Sequence, residues 1–366
     1  MRVALVGCGW FALRAHLPAL QKLERVSEQA LGFRVSLYAL CSRSPDNIQK
    51  AVKRLDKHKR TQVKTFLSLE DVLTDQLVDV IDLVLPIAVM PDAIQRCLMA
   101  GKSVLSEKPI APSPEVLGRL WACYLSHAPA RQPCARCWCV LENWAVKPTV
   151  LHIQRLLQSG VIGEVTRYTC KLSLGVPPPH EQGWRGGAEG GYGRAEQDAY
   201  EGGWSLDVGV HAVRALRVWF GAVADVVTRD DECDQGDGLE RQGIGNEGWK
   251  HEMHGWLVHE SGLQGLVRFL FFAEDGPTRH GAGPGDRAGV QESAVEHGVT
   301  IRGSHGCLTW DMRDNSVCVC RNAKASADQR GLGGGGECIQ DTGNQGSERT
   351  VVAGDGWVAR EVQVVL

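Results

Sequence analysis

The chain opens on Arg2-Val3-Ala4-Leu5-Val6-Gly7-Cys8-Gly9-Trp10-Phe11-Ala12, and this stretch decides the fold. Residues 2–6 are a short apolar run, as a parallel strand covered on both faces requires. Gly7-Cys8-Gly9 reads as a tight turn. Beyond it Phe11, Leu13, Leu17, Leu20 and Leu23 recur at helical spacing. The six residues from Gly7 to Ala12 are G-x-G-x-x-A between a strand and a helix, the setting that a dinucleotide fingerprint needs. The first Gly permits the turn, the second lets backbone approach a pyrophosphate, and the small Ala12 lets helix and strand pack closely. The helix N-terminus presents free N–H groups to the phosphate.

Strands and helices then alternate. A second strand covers 34–41, after a long connection around 24–33. Ser68 with Asp71 reads as an N-cap with an acidic partner three residues on. Residues 78–85 are a third apolar strand ending at Pro86. Residues 92–100 read as a helix closed by Gly101, 103–106 as a strand, and Ser113-Pro114 as a helix start. This order predicts an α/β domain with a doubly wound parallel sheet over residues 1–125. After that the character changes. Residues 150–157 and 204–220 read as helices ended by Gly160 and Gly221, and 165–174 alternate like a half-exposed strand. Residues 253–259 with 266–272, and 299–302 with 307–310, read as hairpins. Residues 126–366 are therefore expected to form an α+β domain, an antiparallel sheet with helices on one side.

The 366 residues carry 40 Lys+Arg and 43 Asp+Glu, a net charge of −3, with 43% hydrophobic residues. That balance gives no electrostatic footprint for nucleic acid, so no nucleic-acid partner is expected. No apolar run approaches the ~18 residues of a membrane span and no targeting signal is legible. A cytoplasmic protein without a membrane partner is the expectation. The 13 Cys fit it as reduced, small apolar residues. Cys134, Cys137 and Cys139 cluster, with Cys123, Cys318 and Cys320 as further candidate ligands, but no spacing demands zinc and free thiols are the simpler reading. His251, His254 and His259 with Glu252 lack H-E-x-x-H spacing, and on a strand His254 and His259 point to opposite faces. No metal site is expected. Gly is in excess at 43 residues, about one in nine against a usual ~7%. Much of the excess lies at 186–193, 275–289 and 331–336, which read as exposed loop insertions. The first is positioned to act as a lid over a substrate.

Cofactor choice is read at the end of the second strand. Ser42-Arg43-Ser44 stands where an NAD site wants an acid, and a guanidinium suits a 2′-phosphate. NADP is favoured, while Asp46 keeps NAD possible. Ser106-Glu107-Lys108-Pro109 follows a strand at the sheet edge where ligands bind in open α/β folds. In Gly202-Gly203-Trp204-Ser205-Leu206-Asp207-Val208-Gly209-Val210-His211, Asp207 and His211 are four apart on a predicted helix and share a face. A carboxylate beside an imidazole orients it and suits it to proton transfer at a hydroxyl. A capped helix start with a structural His would look the same.

Together, the N-terminal fingerprint, the Glu107-Lys108-Pro109 step and Gly-Gly-Trp-x-x-Asp-x-Gly-x-His resemble the Gfo/Idh/MocA oxidoreductases, over roughly residues 1–272. Glu142-Asn143-Trp144, Gly160-Val161-Ile162-Gly163 and Trp184-Arg185 look like further landmarks. The resemblance implies a Rossmann domain followed by an open, mainly antiparallel sheet domain. It implies hydride transfer between a nicotinamide and a sugar, polyol or similar small substrate. Lys108 matches the family's catalytic lysine, His211 its general acid or base, and Asp207 the carboxylate partner. Gly7, Gly9, Trp10, Phe11, Ser42, Arg43, Ser44, Pro86, Glu107, Lys108 and Pro109 are then expected at the cofactor, and Asn143, Trp184 and Arg185 at the substrate. A homodimer or homotetramer is implied as well. The Trp-rich second half fits core and interface packing more simply than sugar stacking. Two alternatives stand beside this reading: a catalytically silent cofactor-sensing regulator of the same fold, and a reductase of a non-sugar substrate such as an aromatic diol or a tetrapyrrole.

Overall fold

A computed structural model describes residues 1–127, 137–176, 203–227, 249–273, 297–321 and 338–341. They fall into two compact units, Met1–Val146 and a second that begins at Lys147. Among the described residues no helix is long and apolar enough to cross a membrane.

The first unit is built on a six-stranded parallel sheet of order β3-β2-β1-β4-β5-β6. Its strands are β1 (Arg2–Val6), β2 (Ser36–Cys41), β3 (Lys64–Phe66), β4 (Val80–Leu83), β5 (Ser103–Glu107) and β6 (Trp138–Leu141). The period of two along each strand divides the core in two. Ala4, Val6, Ala39, Ile81, Leu83 and Val104 face one side, where α4 (Leu69–Thr74), α5 (Met90–Met99) and α6 (Pro114–His127) cover them. Val3, Leu5, Leu37, Val80 and Leu105 face the other, under α1 (Leu17–Leu31) and α2 (Pro45–Lys53), which the short α3 (Lys57–Arg60) follows. Both faces are buried, which is why these strands read as unbroken apolar runs. Ser68 caps α4 as expected, its hydroxyl accepting the Asp71 N–H at 3.2 Å.

One expectation is corrected here. The long connection at 24–33 does not exist, because α1 continues to Leu31 and stops at Gly32 in the left-handed region. Its last turns bury Ser27 and leave Glu28, Gln29 and Ala30 exposed, so no apolar stripe announced them. The Ser27 hydroxyl instead accepts the Val35 N–H at 2.9 Å and ties the helix end to the chain leading into β2.

The second unit has an eight-stranded sheet of order β14-β13-β12-β11-β7-β10-β9-β8. These are β7 (Val165–Val176), β8 (Val223–Val227), β9 (Trp249–His259), β10 (Gln264–Ala273), β11 (Gly298–Gly303), β12 (Gly306–Asp311), β13 (Ser316–Arg321) and β14 (Cys338–Asp341). Among the described residues only the β7–β10 pair is parallel, so the sheet is mainly antiparallel, as expected. Both predicted hairpins are present, as β9–β10 and β11–β12. One face is buried through Tyr168, Cys170, Leu257, Val267, Phe269, Ile301, Leu308 and Trp310. It is covered by α7 (Pro148–Gln158) and α8 (Gly203–Phe220). Gly209 of α8 sits on Phe269, where a Cβ would come within 2.7 Å of the ring. Trp219 of α8 donates to the Val150 carbonyl at 2.9 Å and meets Trp310 edge to face, so these two tryptophans are packing residues.

Candidate functional site

In the first unit the expected cofactor residues gather at the carboxyl ends of the parallel strands. β1 and β4 are neighbours at the point where the strand order reverses, which is where open α/β sheets bind ligands. The turn after β1 is pressed against the end of β4. Gly7 has φ +96°, and a Cβ there would lie 2.1 Å from the Val84 carbonyl oxygen. Gly9 is different: a Cβ would meet nothing within 4 Å. Protein packing therefore demands glycine at 7 and not at 9, and the bare backbone at Gly9 fits the close approach of a pyrophosphate. Cys8 between them is buried. Desolvation pushes its thiol up to about 11, and the thiol donates to the Cys41 carbonyl at 3.6 Å. The turn thus carries no thiolate to repel a phosphate.

The helix after the turn is irregular. Residues Ala12–His16 form a π turn, in which the Leu17 N–H reaches the Ala12 carbonyl five residues back. Ala12 is fully buried, as close packing on β1 requires. The Leu13 carbonyl accepts from the Arg54 guanidinium at 2.8 Å. Trp10 and Phe11 stack, Trp10 is exposed, and the Arg14 guanidinium lies 4.8 Å over the Trp10 ring. At the end of β2, Arg43 is exposed between Ser42 and Ser44. Ser44 caps α2 by accepting the Asn47 N–H, and Ser42 Oγ accepts the Ser44 N–H. Pro86 follows β4 and is half-buried. Glu107 ends β5, and the Lys108–Pro109 peptide bond that follows is cis. Asn143 is half-buried in a 3₁₀ turn (Asn143–Val146) after β6.

Two residues not singled out in the sequence complete this edge. His16, wholly buried, places Nδ1 2.9 Å from Asp82 Oδ2 and Nε2 3.0 Å from Glu107 Oε1. Carboxylates only accept, so both ring nitrogens carry protons. Desolvation opposes that charge, but the nearby Asp82 carboxylate and the bonds the ring donates to both acids override it and raise the imidazole to about 10. Sequence reasoning had signals for both: a histidine inside an apolar helical stripe and an acid in the middle of an apolar strand each demand a buried partner.

In the second unit α8 carries Asp207, nearly fully buried, and His211, half-buried, one turn apart as predicted. His259 on β9 is a structural residue. Its Nδ1 lies 3.2 Å from the Gly221 carbonyl, which only accepts, so that nitrogen donates and Nε2 accepts the Tyr168 hydroxyl at 2.8 Å. His254, half-buried, and His259, buried, occupy opposite faces of β9. Trp184, Arg185, Cys134 and the three Gly-rich stretches lie outside the described residues.

A family model described as the oxidoreductase family with an NAD-binding Rossmann fold matches residues 1–128, and the GFO/IDH/MocA C-terminal domain matches residues 150–309. The chain belongs to the Gfo/Idh/MocA oxidoreductase family. Similar Gfo/Idh/MocA sequences include a dTDP-3,4-didehydro-2,6-dideoxy-alpha-D-glucose 3-reductase of Actinomadura kijaniata, 29% identical over 229 residues, 62% of this chain and 58% of that one. Dehydrogenase FPY6 of Fusarium mangiferae is 28% identical over 60% of this chain and 58% of its own. The chain thus spans under two thirds of the length of these curated relatives. Solved structures that share the fold include the following two. An oxidoreductase from Agrobacterium radiobacter, in complex with NAD+, L-tartaric acid and magnesium, has a TM-score of 0.63 at 14% identity, over 100% of this chain and 85% of that one. KijD10, a 3-ketoreductase from Actinomadura kijaniata in complex with NADP and TDP-benzene, has a TM-score of 0.59 at 18% identity, over 100% and 88%.

Proposed function

We propose that this Gfo/Idh/MocA protein is an NADP-dependent oxidoreductase that interconverts a carbonyl and a hydroxyl on a sugar or polyol. A nucleotide-linked keto-sugar is the substrate class to which its relatives' names point. The observation that carries the reading is the edge of the first sheet: a turn pressed on β4 with open space over Gly9, flanked by Arg43 after β2 and Lys108 after β5. Gly7, Gly9, Trp10, Phe11, Ser42, Arg43, Ser44, Pro86, Glu107 and Pro109 hold the dinucleotide in this proposal. When bound, it supplies or takes up the hydride at the reacting carbon. The Lys108 ammonium donates to the reacting oxygen and stabilises negative charge as it develops there. His211 gives that oxygen its proton in reduction and removes it in oxidation, and the buried Asp207 orients the imidazole. Asn143, Trp184 and Arg185 are assigned to the substrate, and association of copies into a dimer or tetramer belongs to the same proposal.

Arg43 sets the cofactor in this reading. Titration with NADPH and NADH is expected to show NADPH binding the tighter, and Arg43→Asp to abolish or invert that order. An unchanged NADPH affinity in Arg43→Asp would remove the guanidinium from the assignment.

A further inference from the structure

His16 and Asp82, which with Glu107 form a buried cluster, have no part in the reaction just described. The cluster joins three elements: the π turn before α1, the middle of β4 and the last residue of β5. On the same face of the sheet β1, β4 and β5 contribute the buried Leu5, Val80 and Leu105, so an apolar group would suit its place. Burying one imidazolium between two carboxylates is costly, and such networks are often neutral or unfavourable against an apolar core. Here Asp82 Oδ1, also buried, has no hydrogen-bond partner among the described residues. The π turn adds to the cost, since it interrupts regular α-helical bonding to bring His16 onto the sheet.

The cluster has an outlet toward the site. Glu107 Oε1 is held by His16 Nε2, while Glu107 Oε2 lies 3.2 Å from the backbone nitrogen of Lys108 and accepts its N–H. One carboxylate thus spans from the buried imidazole to the main chain of the lysine that follows. Asp82 on the adjacent strand fixes the other ring nitrogen, so the imidazole is gripped from both sides.

We infer that His16 is a positioning residue: anchored by Asp82, it clamps the Glu107 carboxylate and through it sets the backbone at Lys108, and so the place from which the lysine reaches its substrate. The inference rests on the reading of Lys108 given above and deepens it. A charged clamp suits this task because the bond from an imidazolium to a carboxylate is about twice as strong as a neutral one, and it holds the carboxylate in one orientation.

The test compares His16→Gln with His16→Leu. Gln keeps one donor for the carboxylate, whereas Leu keeps only apolar bulk. If His16 positions Lys108, kcat falls roughly 10- to 100-fold in His16→Leu, as small displacements of a reacting group do, and His16→Gln recovers part of the loss. The NADPH dissociation constant stays within about twofold in both. A packing role gives the reverse order, with Leu the milder change. That order overturns the inference, as does a kcat that falls only in step with lost NADPH binding. Should His16→Leu fail to fold, Asp82→Asn takes its place. It is isosteric and removes the charge that grips Nδ1, and an unchanged kcat there counts against the clamp. A second readout separates this inference from the reading beneath it. The Lys108 amide resonance in a proton–nitrogen NMR spectrum is expected to shift in His16→Gln, whether or not a substrate is turned over. An unmoved Lys108 amide overturns the clamp alone, and a wild-type protein without NADPH-dependent turnover overturns only the reading.

Discussion

Gly7 and Gly9 sit two residues apart in one turn, and replacing each by Ala separates folding from cofactor binding. At Gly7 the backbone has φ +96°, where a side chain costs about 1–2 kcal/mol. The new Cβ would also lie 2.1 Å from the Val84 carbonyl oxygen, a main-chain atom with little freedom to yield. Moving it strains the bond from the Val84 N–H to the Val6 carbonyl, 2.8 Å, and the bond from the Gly7 N–H to the Cys41 carbonyl, 2.9 Å. Each contributes about 1 kcal/mol. The expected loss for Gly7→Ala is therefore about 3–4 kcal/mol, or an unfolding midpoint lowered by roughly 10 °C. At Gly9 the added methyl meets nothing within 4 Å and the backbone is outside the left-handed region. Stability should change by no more than about 0.5 kcal/mol. The methyl instead fills the space assigned to the pyrophosphate, so NADPH affinity should fall about tenfold or more, worth about 1.4 kcal/mol. Scanning calorimetry reads the first effect and titration calorimetry with NADPH the second. A Gly7→Ala protein as stable as wild type, or a Gly9→Ala protein that binds NADPH normally, refutes the reasoning at that position.

Two further outcomes concern buried polar groups. His16 is raised from 6.5 to about 10 in the folded protein, so its partners stabilise the fold fully below pH 6.5 and that contribution is lost as pH rises through about 10. Denaturant unfolding of the wild type should therefore show stability falling between about pH 7 and pH 10, by a few kcal/mol at most. The same series in His16→Gln should be flatter, and matching slopes would contradict the imidazolium assignment. Tyr168→Phe removes the donor to His259 Nε2 in a buried site, where both rings pack with Phe220. A loss of about 1–3 kcal/mol is expected by chemical denaturation, and a neutral substitution would show that water replaces the hydroxyl.

The architecture was largely legible because its signals are local. The strand–turn–helix of residues 2–23 and the helix-ending glycines at 101, 160 and 221 state their conformations in a few residues. All three of those glycines adopt positive φ where a helix was expected to end. Both hairpins of the second sheet were legible from alternation and a short turn. The small elements were not. α2, β3 and β6 bury too few residues to impose a period, and α1 past Leu23 runs on polar residues with Ser27 as its anchor. The expected cofactor positions fall on one sheet edge because each follows a strand that could be read, and α8 sets Asp207 and His211 one turn apart. What escaped was the relation between His16, Asp82 and Glu107. They are separated by up to 91 positions in the chain and meet only because β4 and β5 are neighbours and the π turn adds a residue to the helix.

The proposed reaction is hydride transfer with NADPH, with Lys108 acting at the reacting oxygen. The most direct measurement follows the absorbance of reduced nicotinamide while purified protein meets NADPH and a panel of keto-sugars, free and nucleotide-linked, with Lys108→Ala and His211→Ala run in parallel. The wild type is expected to turn over, and each variant to lose at least about 100-fold in kcat with NADPH binding within about twofold of normal. Turnover that survives intact in Lys108→Ala, at unchanged cofactor affinity, would contradict this proposal.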